Sequence, residues 1–190
     1  MGNKKNIMRK IKSALISVSD KSNLKPLLEI LKKNNIKLIS SGGTFKAIRK
    51  LKFQCLEISN FTGSNEILDG RVKTLHPKIH AGILNKRKNK THLKEMKFEN
   101  FENIDLVIVN FYQFEEALKK TKNHNKIIEN IDIGGPTLVR AAAKNYNDVT
   151  VITSIEQYSE LINELKINKG CTSLKFREKM SSLAFTETAF

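Results

Sequence analysis

Short apolar runs alternate with amphipathic stretches along most of the 190-residue chain. The runs with strand character lie at residues 13–20, 36–40, 54–59, 105–110 and 148–153. Apolar residues at helical spacing predict helices at 22–35, from Thr44 onward, at 154–166 and through the C-terminal tail. Since strands alternate with helices, the pattern predicts an α/β fold in which helices flank a mainly parallel sheet.

Polar residues follow three of the predicted strands at the point where each strand ends. They are SDK (19–21), SGGT (41–44) and NFY (110–112). Ligands of parallel sheets bind beyond the carboxyl ends of the strands, so these segments should share one edge. SGGT also precedes a predicted helix, where it can cradle a phosphate or simply form a turn and a helix cap. Lys21 can meet an anion there, or can be an ordinary surface lysine.

The net charge of +15 raises the question of nucleic-acid binding. Lysine outnumbers arginine by 28 to 6, and the lysines are spread over the whole chain. Basic patches that bind phosphates cluster and commonly use arginine, so we expect no nucleic-acid partner. No apolar run approaches the roughly 20 residues that span a bilayer, which argues against a membrane partner. Cys55 and Cys171 match no paired pattern, as expected of free thiols in a reducing, cytoplasmic compartment.

The stretch DGRVKTLHPKIHAGIL (69–84) crowds cations and histidines beside a glycine and a proline. His76 and His80 are four residues apart, a spacing that can bind zinc on a helix. No glutamate follows the first histidine as in HExxH, and no cysteine or histidine cluster supplies further ligands. We therefore expect no metal and interpret these histidines as structural. Walker and GxGxxG sequences are missing as well, so neither ATP nor NAD is expected as a cofactor.

A second dense stretch, IDIGGPTLVRAAAKN (131–145), places Asp132 ahead of two glycines and a proline. This start, and the good helix formers after it, predict a helix. Lys144 comes a little over three helical turns after Asp132. Lys144 reaches the ligand pocket near Asp132 only if the helix runs across the wall of that pocket. Otherwise it stabilises the helix dipole at the C-terminal end.

Five motifs, in order and approximate spacing, resemble the inosine monophosphate (IMP) cyclohydrolase domain. This domain is the N-terminal part of the bifunctional AICAR transformylase/IMP cyclohydrolase of purine biosynthesis. The motifs are SVSDK (17–21), SGGT (41–44), LDGRVKTLHPKIHAGIL (68–84), NFYQF (110–114) and DIGGPTLVRAAAKN (132–145). The resemblance implies a methylglyoxal-synthase-like three-layer sandwich over residues 13–190, preceded by a basic N-terminal extension at 1–12.

The resemblance also implies the closing step of IMP synthesis, without a cofactor. In this step the carboxamide nitrogen of 5-formamidoimidazole-4-carboxamide ribotide (FAICAR) attacks the formyl carbon, the ring closes and water leaves. The residues that match substrate-binding positions are Ser19, Asp20, Lys21, Ser41, Gly42, Gly43, Thr44, Arg71, Val72, Thr74, Asn110, Ile133 and Gly134. Those that match catalytic positions are Lys144, Lys73, Asp132 and Tyr112.

Ring closure requires a proton to leave the carboxamide nitrogen and donors to stabilise the formyl oxygen. A lysine with a lowered pKa can serve, and we hypothesise that Lys73 and Lys144 divide these roles across the pocket. Backbone N–H groups at 132–134 are a candidate oxyanion site. The alternatives left open are a methylglyoxal-synthase-like phosphate lyase and a non-catalytic nucleotide-sensing domain.

Three positions depart from the pattern of the family. Gln113 stands where proline is usual, and Tyr146 and Glu187 stand where histidine is common. The chain also lacks the AICAR transformylase domain to which this domain is normally fused, so we expect an excised or shortened chain. Family members are dimers, which makes a homodimer a further expectation.

Overall fold

The computed structural model describes residues 7–111, 123–129 and 131–189. The strands are β1 (Arg9–Lys10), β2 (Ser13–Val18), β3 (Lys37–Ser40), β4 (Leu56–Glu57), β5 (Leu106–Asn110), β6 (Thr150–Ile152) and β7 (Cys171–Thr172). The α-helices are α1 (Leu24–Lys33), α2 (Gly42–Lys50), α3 (Ile58–Thr62), α4 (Pro77–Leu84), α5 (Lys90–Phe98), α6 (His124–Glu129), α7 (Gly134–Lys144), α8 (Tyr158–Ile167) and α9 (Leu174–Glu187).

Five strands form one parallel sheet in the spatial order β4-β3-β2-β5-β6. The central strands β2 and β5 are almost wholly buried, as their near-continuous apolar sequences predict for a sheet covered on both faces. The predicted α/β fold with a mainly parallel sheet is therefore confirmed.

The helices form two packed groups around this sheet. α1 packs against α8, and its leucines Leu24, Leu27, Leu28 and Leu31 are buried at the helical spacing of the sequence. α7 packs against α4 and α9, and it also contacts β5 and β6. Because α7 connects two parallel neighbouring strands, it runs back from the carboxyl edge of the sheet to the amino edge.

The chain changes its direction of travel across the sheet between β2 and β5. It passes outward from β2 through β3 to β4, and then returns to the centre at β5 before reaching β6. A crevice opens at the carboxyl ends of the strands at such a switch point, and ligands of open α/β sheets bind there. Ser19 follows β2 and Asn110 ends β5, so two of the predicted ligand segments meet at this crevice.

Residues 7–12, predicted as part of an N-terminal extension, pack onto the domain. β1 pairs antiparallel with β7, and Ile11 is buried in the core. The remaining residues of the predicted extension, 1–6, lie outside the described residues.

Two element boundaries differ from the sequence-based expectation. The strand predicted at 54–59 has only two residues, because Ile58 and Phe61 are buried on one face of the short helix α3. α2 begins at Gly42 rather than at Thr44. The backbone of Gly42 has a φ of 53°, which turns the chain from β3 into the helix at a position where a side chain would be strained.

Candidate functional site

The Asn110 side chain joins the end of β5 to the turn after β2. Its Oδ1 accepts hydrogen bonds from the backbone N–H groups of Ser19 (2.7 Å) and Asp20 (3.1 Å), and lies 2.9 Å from Ser19 Oγ. Its Nδ2 donates to the carbonyl of Asp20 at 2.9 Å. The structure thus brings together three predicted site residues at the switch point of the sheet.

Two lysines flank the glycine pair at the start of α2. A methyl group placed on Gly42 would lie 3.6 Å from Lys73 Nζ, and one on Gly43 would lie 4.0 Å from Lys21 Nζ. Ser41 is the N-cap residue of α2, and its side chain makes no capping hydrogen bond to the first N–H groups of the helix. Two ammonium groups and a helix N-terminus therefore converge on one loop, an arrangement that attracts a phosphate.

The Thr44 hydroxyl is already engaged inside the fold. Its Oγ1 donates to the carbonyl of Val18 at 2.9 Å and accepts from the N–H of Val18 at 3.0 Å. This pair of bonds fixes the first turn of α2 against the end of β2. Lys21 Nζ likewise donates to the carbonyl of Ser19 at 3.0 Å. Both contacts shape the loop, and the contact of Thr44 with the ligand stays a prediction.

The stretch from Arg71 to Thr74 lies between the loop of Gly42 and Gly43, here called the glycine loop, and the start of α7. Val72 exchanges backbone hydrogen bonds with Ile67, and a methyl group on Gly134 would lie only 2.5 Å from Thr74 Oγ1. Thr74 therefore packs directly against the N-terminal end of α7. Lys73 Nζ lies near Gly42, and the role of this strip as a pocket wall stays a prediction.

Arg71 is turned toward α6 rather than toward the glycine loop. Its guanidinium forms an ion pair with Glu129, and Nε donates to Glu129 Oε2 at 3.2 Å. This exposed pair raises the pKa of Arg71. Contact between Arg71 and the ligand stays a prediction.

The Asp132 carboxylate caps α7. Its Oδ1 accepts from the N–H of Gly135 at 2.8 Å, and a side chain on Gly135 would collide with the same carboxylate. Ile133 is exposed. The geometry gives Asp132 a clear task at the helix start, while its predicted catalytic role is not tested.

Lys144 lies at the other end of α7. Its neighbour Asn145 donates to the carbonyls of Ile83 (2.8 Å) and Asn85 (3.0 Å), at the amino edge of the sheet. An 11-residue helix is roughly 16 Å long, more than a lysine side chain can span. Within one chain, Lys144 and Lys73 therefore do not face each other across one pocket. The helix runs along the sheet and not across the pocket wall.

The histidines of the same strip take part in local structure. His76 is the N-cap residue of α4, and its Nδ1 accepts from the N–H of Lys78 at 3.1 Å. His80 is half-buried, and burial lowers its pKa although a hydrogen bond to the Thr74 carbonyl opposes this. Over the described ranges, no group of three His, Cys, Asp or Glu side chains is placed to hold a metal ion.

Two observations complete the description of the site. Tyr112, predicted as catalytic, lies outside the described residues. In the part of the chain that the structure describes, no helix has the length and apolar character needed to cross a membrane.

Comparison with known proteins identifies the fold. The sequence profile of the MGS-like domain matches residues 23–137. The chain belongs to the MGS-like domain family. A second profile, described as the AICARFT/IMPCHase bienzyme, matches residues 142–190 of this MGS-like chain. The predicted methylglyoxal-synthase-like fold is confirmed.

Curated relatives of this MGS-like domain are named bifunctional purine biosynthesis protein PurH. The protein of Bradyrhizobium diazoefficiens is 45% identical over 181 residues, which is 95% of this chain and 34% of the relative. The protein of Acetivibrio thermocellus is 47% identical over 180 residues, 94% of this chain and 35% of the relative. The chain thus spans about a third of the length of these relatives, and the predicted resemblance to the IMP cyclohydrolase domain of the bifunctional purine-biosynthesis protein is confirmed.

A solved structure agrees with the fold of this MGS-like domain. The structure titled "Crystal structure of ForH" superposes with a TM-score of 0.84 at 29% sequence identity. The superposition covers 94% of this chain and 91% of that one. The match extends over nearly the whole chain, so the sheet and its switch point belong to a recurring architecture.

One residue at the same edge of the MGS-like domain has no motif to mark it. Tyr158 begins α8, just beyond the carboxyl end of β6, and its side chain is buried. Ligands of parallel sheets bind beyond the carboxyl ends of the strands, and the segment after β6 lies at such an end. Tyr158 sits in an amphipathic pattern, however, so the sequence presents it as an ordinary core residue.

Proposed function

We propose that this chain is an IMP cyclohydrolase domain that closes the ring of FAICAR to give IMP and water. The observation that carries the proposal is the pair Lys21 and Lys73 around the glycine loop at the switch point. It is supported by the similarity of the whole chain to PurH proteins and by the bienzyme profile over its C-terminal part.

The 5′-phosphate of the ribotide binds, in this proposal, at the N-terminus of α2. The first N–H groups of the helix and the Lys21 ammonium group supply hydrogen bonds and positive charge there, which leaves the Lys73 ammonium group, beside Gly42 and Gly70, for the reacting groups of the base. The turn held by Asn110, which includes Ser19 and Asp20, is next along the same edge and receives the ribose. The base then extends toward the strip from Arg71 to Thr74 and the start of α7.

Ring closure is intramolecular, so holding the formyl group near the carboxamide nitrogen supplies much of the rate. As the carboxamide nitrogen attacks, it loses one proton and the formyl oxygen gains negative charge. The oxygen takes up two protons in all, one from the carboxamide nitrogen and one from the formamido nitrogen, and leaves as water when its bond to the former formyl carbon breaks. In this proposal Lys73 exchanges these protons, and the N-terminal end of α7 beside Thr74 stabilises the developing oxyanion. No electrons are transferred, so the step needs no redox cofactor.

A role for Lys144 in the same site requires a second copy of the chain, since its own α7 holds it at the amino edge. We therefore propose a homodimer as the functional form and leave the division of acid and base roles as a hypothesis. The further proposals are a cytoplasmic location and covalent linkage to a transformylase domain, as the AICARFT/IMPCHase profile and the longer PurH relatives suggest.

The decisive experiment is an absorbance assay of FAICAR cyclisation by the folded protein. We expect IMP to form without added metal or cofactor. Dihydroxyacetone phosphate is tested in parallel, with phosphate release as the readout, because the MGS-like fold also suits a phosphate lyase. IMP binding without turnover would indicate a sensing domain, and a folded sample that forms no IMP contradicts the proposal.

A further inference from the structure

Tyr158 carries a buried hydroxyl group that the fold itself does not use. The residue is 3% exposed, and its hydroxyl makes no hydrogen bond to any described residue that meets ordinary geometric limits. An unpaired buried hydroxyl costs free energy, and phenylalanine would fill the same space without that cost. The hydroxyl therefore calls for a use beyond packing.

The position of Tyr158 is fixed by the loop between β6 and α8. Gln157 Oε1 accepts from the N–H of Thr153 at 2.9 Å, and Gln157 Nε2 donates to Thr153 Oγ1 at 3.3 Å. β6 lies beside β5, with Ile152 in register with Ile108. Both strands therefore end at the same edge, and the loop holds the start of α8 beside the end of β5.

Two residues of the candidate site, Asp20 and Asn110, belong to the electrostatic surroundings of the phenol. Burial raises the pKa of Tyr158 to about 12, and the carboxylates of Asp20 and Glu156 act in the same direction. The Asn110 amide opposes this rise because it donates toward the phenol oxygen. The hydroxyl thus lies beside the amide that joins β2 to β5, and it is protonated at neutral pH.

One N–H group of the Asn110 side-chain amide has no hydrogen-bond partner among the described residues. Its Oδ1 already receives the two backbone N–H groups of Ser19 and Asp20, and one N–H of Nδ2 goes to the Asp20 carbonyl. Among the described residues, the second N–H of Nδ2 makes no further hydrogen bond. A neutral phenol oxygen is an acceptor for such a group.

We propose that Tyr158 is a positioning residue, whose buried hydroxyl is unpaired in the free protein and accepts the second N–H of Asn110 once a ligand occupies the site, so that it holds the Ser19–Asp20 turn in its ligand-binding geometry. The identity of the ligand, a purine ribotide, rests on the proposed cyclohydrolase function. Tyr158 itself touches neither the glycine loop nor the reacting atoms in this proposal. It acts through Asn110.

The test compares Tyr158→Phe with Tyr146→Phe, a matched change at the amino edge of the sheet. Tyr158→Phe should raise the Kd for IMP and the KM for FAICAR about tenfold, a change of one decade in affinity. It should leave kcat within about threefold and should not lower Tm, since the variant removes an unpaired polar group. Tyr146→Phe should change neither constant.

A double-mutant cycle shows whether the effect passes through Asn110. Asn110→Ala should weaken IMP binding more than Tyr158→Phe, and combining the two should add nothing further. Fully additive losses, or an unchanged Kd in a Tyr158→Phe protein that folds, overturn the proposal. A lower Tm with unchanged Kd assigns the hydroxyl a purely structural task and overturns it as well.

A readout without ligand separates this proposal from the proposed function. The side-chain amide resonances of Asn110 should shift in Tyr158→Phe and stay in place in Tyr146→Phe. If they shift while the wild-type protein neither binds IMP nor cyclises FAICAR, the cyclohydrolase function fails and the positioning role stands. If the wild-type protein is active but the resonances and Kd stay unchanged, the positioning role fails alone.

Discussion

The chain has 28 lysines, and Lys73 is distinguished among them by the residues around it rather than by its residue type. Its ammonium group lies near two glycines, Gly42 and Gly70, whose missing side chains leave room for it. Lys78, only five residues later, instead lies 5.3 Å from the centre of the Phe61 ring. The two lysines share one short strip but differ in surroundings, which makes them a matched pair for experiment.

Replacing Lys73 with alanine should slow single-turnover cyclisation of FAICAR by about 10²–10⁴-fold, the usual range for a general acid or base. Lys78→Ala should leave the rate within about threefold. Both variants should keep the far-ultraviolet circular dichroism of the wild-type protein. An unchanged single-turnover rate in Lys73→Ala would show that this lysine moves no proton in the reaction.

His80 gives the protein a pH dependence of stability. Burial lowers its folded pKa below the ordinary value near 6.5, so the unfolded chain takes up a proton first as the pH falls. Its contribution is therefore present above pH ~6.5 and is lost as the pH falls through the folded pKa. Tm should decrease on going from pH 7 to pH 5, and His80→Gln should flatten this slope. The exposed His124→Gln serves as the control, and an equal slope in both variants would remove His80 as the cause.

At the scale of elements, one hydroxyl connects the loop of Gly42 and Gly43 to the central strand β2. Thr44 Oγ1 bonds both backbone groups of Val18, so α2 and β2 are joined just beneath the glycine pair. A helix N-terminus binds an anion well only if it is held still. This contact supplies that rigidity to the site.

Thr44→Val keeps the shape of the side chain but leaves the backbone groups of Val18 without this partner. We expect the free energy of unfolding to fall by about 1–3 kcal/mol, the cost of unpaired buried polar groups. Thr186→Val is the control, because its exposed hydroxyl bonds only one carbonyl in α9. Urea denaturation measures both. Equal losses in the two variants would mean that the Thr44 contact adds no stability.

The sequence predicts the elements well where apolar spacing is regular and less well where packing decides. The strand at 105–110 and the helix at 154–166 follow from local pattern. At 54–59 the β-type residues are overruled because Ile58 and Phe61 find burial in a helix instead. That choice depends on which surface lies beneath, which no local window contains.

Across the whole molecule, Arg177 ties distant parts of the chain together. It is fully buried, and its guanidinium donates to the carbonyls of Tyr146 (2.8 Å) and Thr172 (2.5 Å). It also donates to the carbonyls of Ile7 (2.9 Å) and Asn147 (3.2 Å). One side chain thus joins the N-terminal segment, β7, α9 and the segment after α7.

Arg177→Met should lower the free energy of unfolding by about 3 kcal/mol or more, since four carbonyls, one of them in the buried residue Thr172, lose their donor at once. Arg140→Met is the control, because Arg140 is exposed and lies over the Phe185 ring. Thermal unfolding monitored by circular dichroism reports both changes. A loss below about 1 kcal/mol in Arg177→Met would show that the carbonyls find other donors.

The candidate site is predictable from sequence only as far as its motifs reach. The sequence motifs single out SGGT, Lys73 and Asn110, and the strand order then predicts that they lie at one edge of the sheet. The placement of Lys144 depends on the direction of α7, and the importance of Tyr158 depends on which strand ends beside β5. Both are properties of the sheet order, which no motif contains.

The switch point also determines at which stage of folding the candidate site can form. Ser19 and Asn110 are 91 positions apart, and the hydrogen bonds between them exist only once β5 has docked beside β2. Closing so long a loop costs entropy before any contact repays it, so such pairings form late and slowly. During synthesis, the loop of Gly42 and Gly43 therefore leaves the ribosome well before β5, and the contacts that assemble the candidate site form only after β5 has emerged.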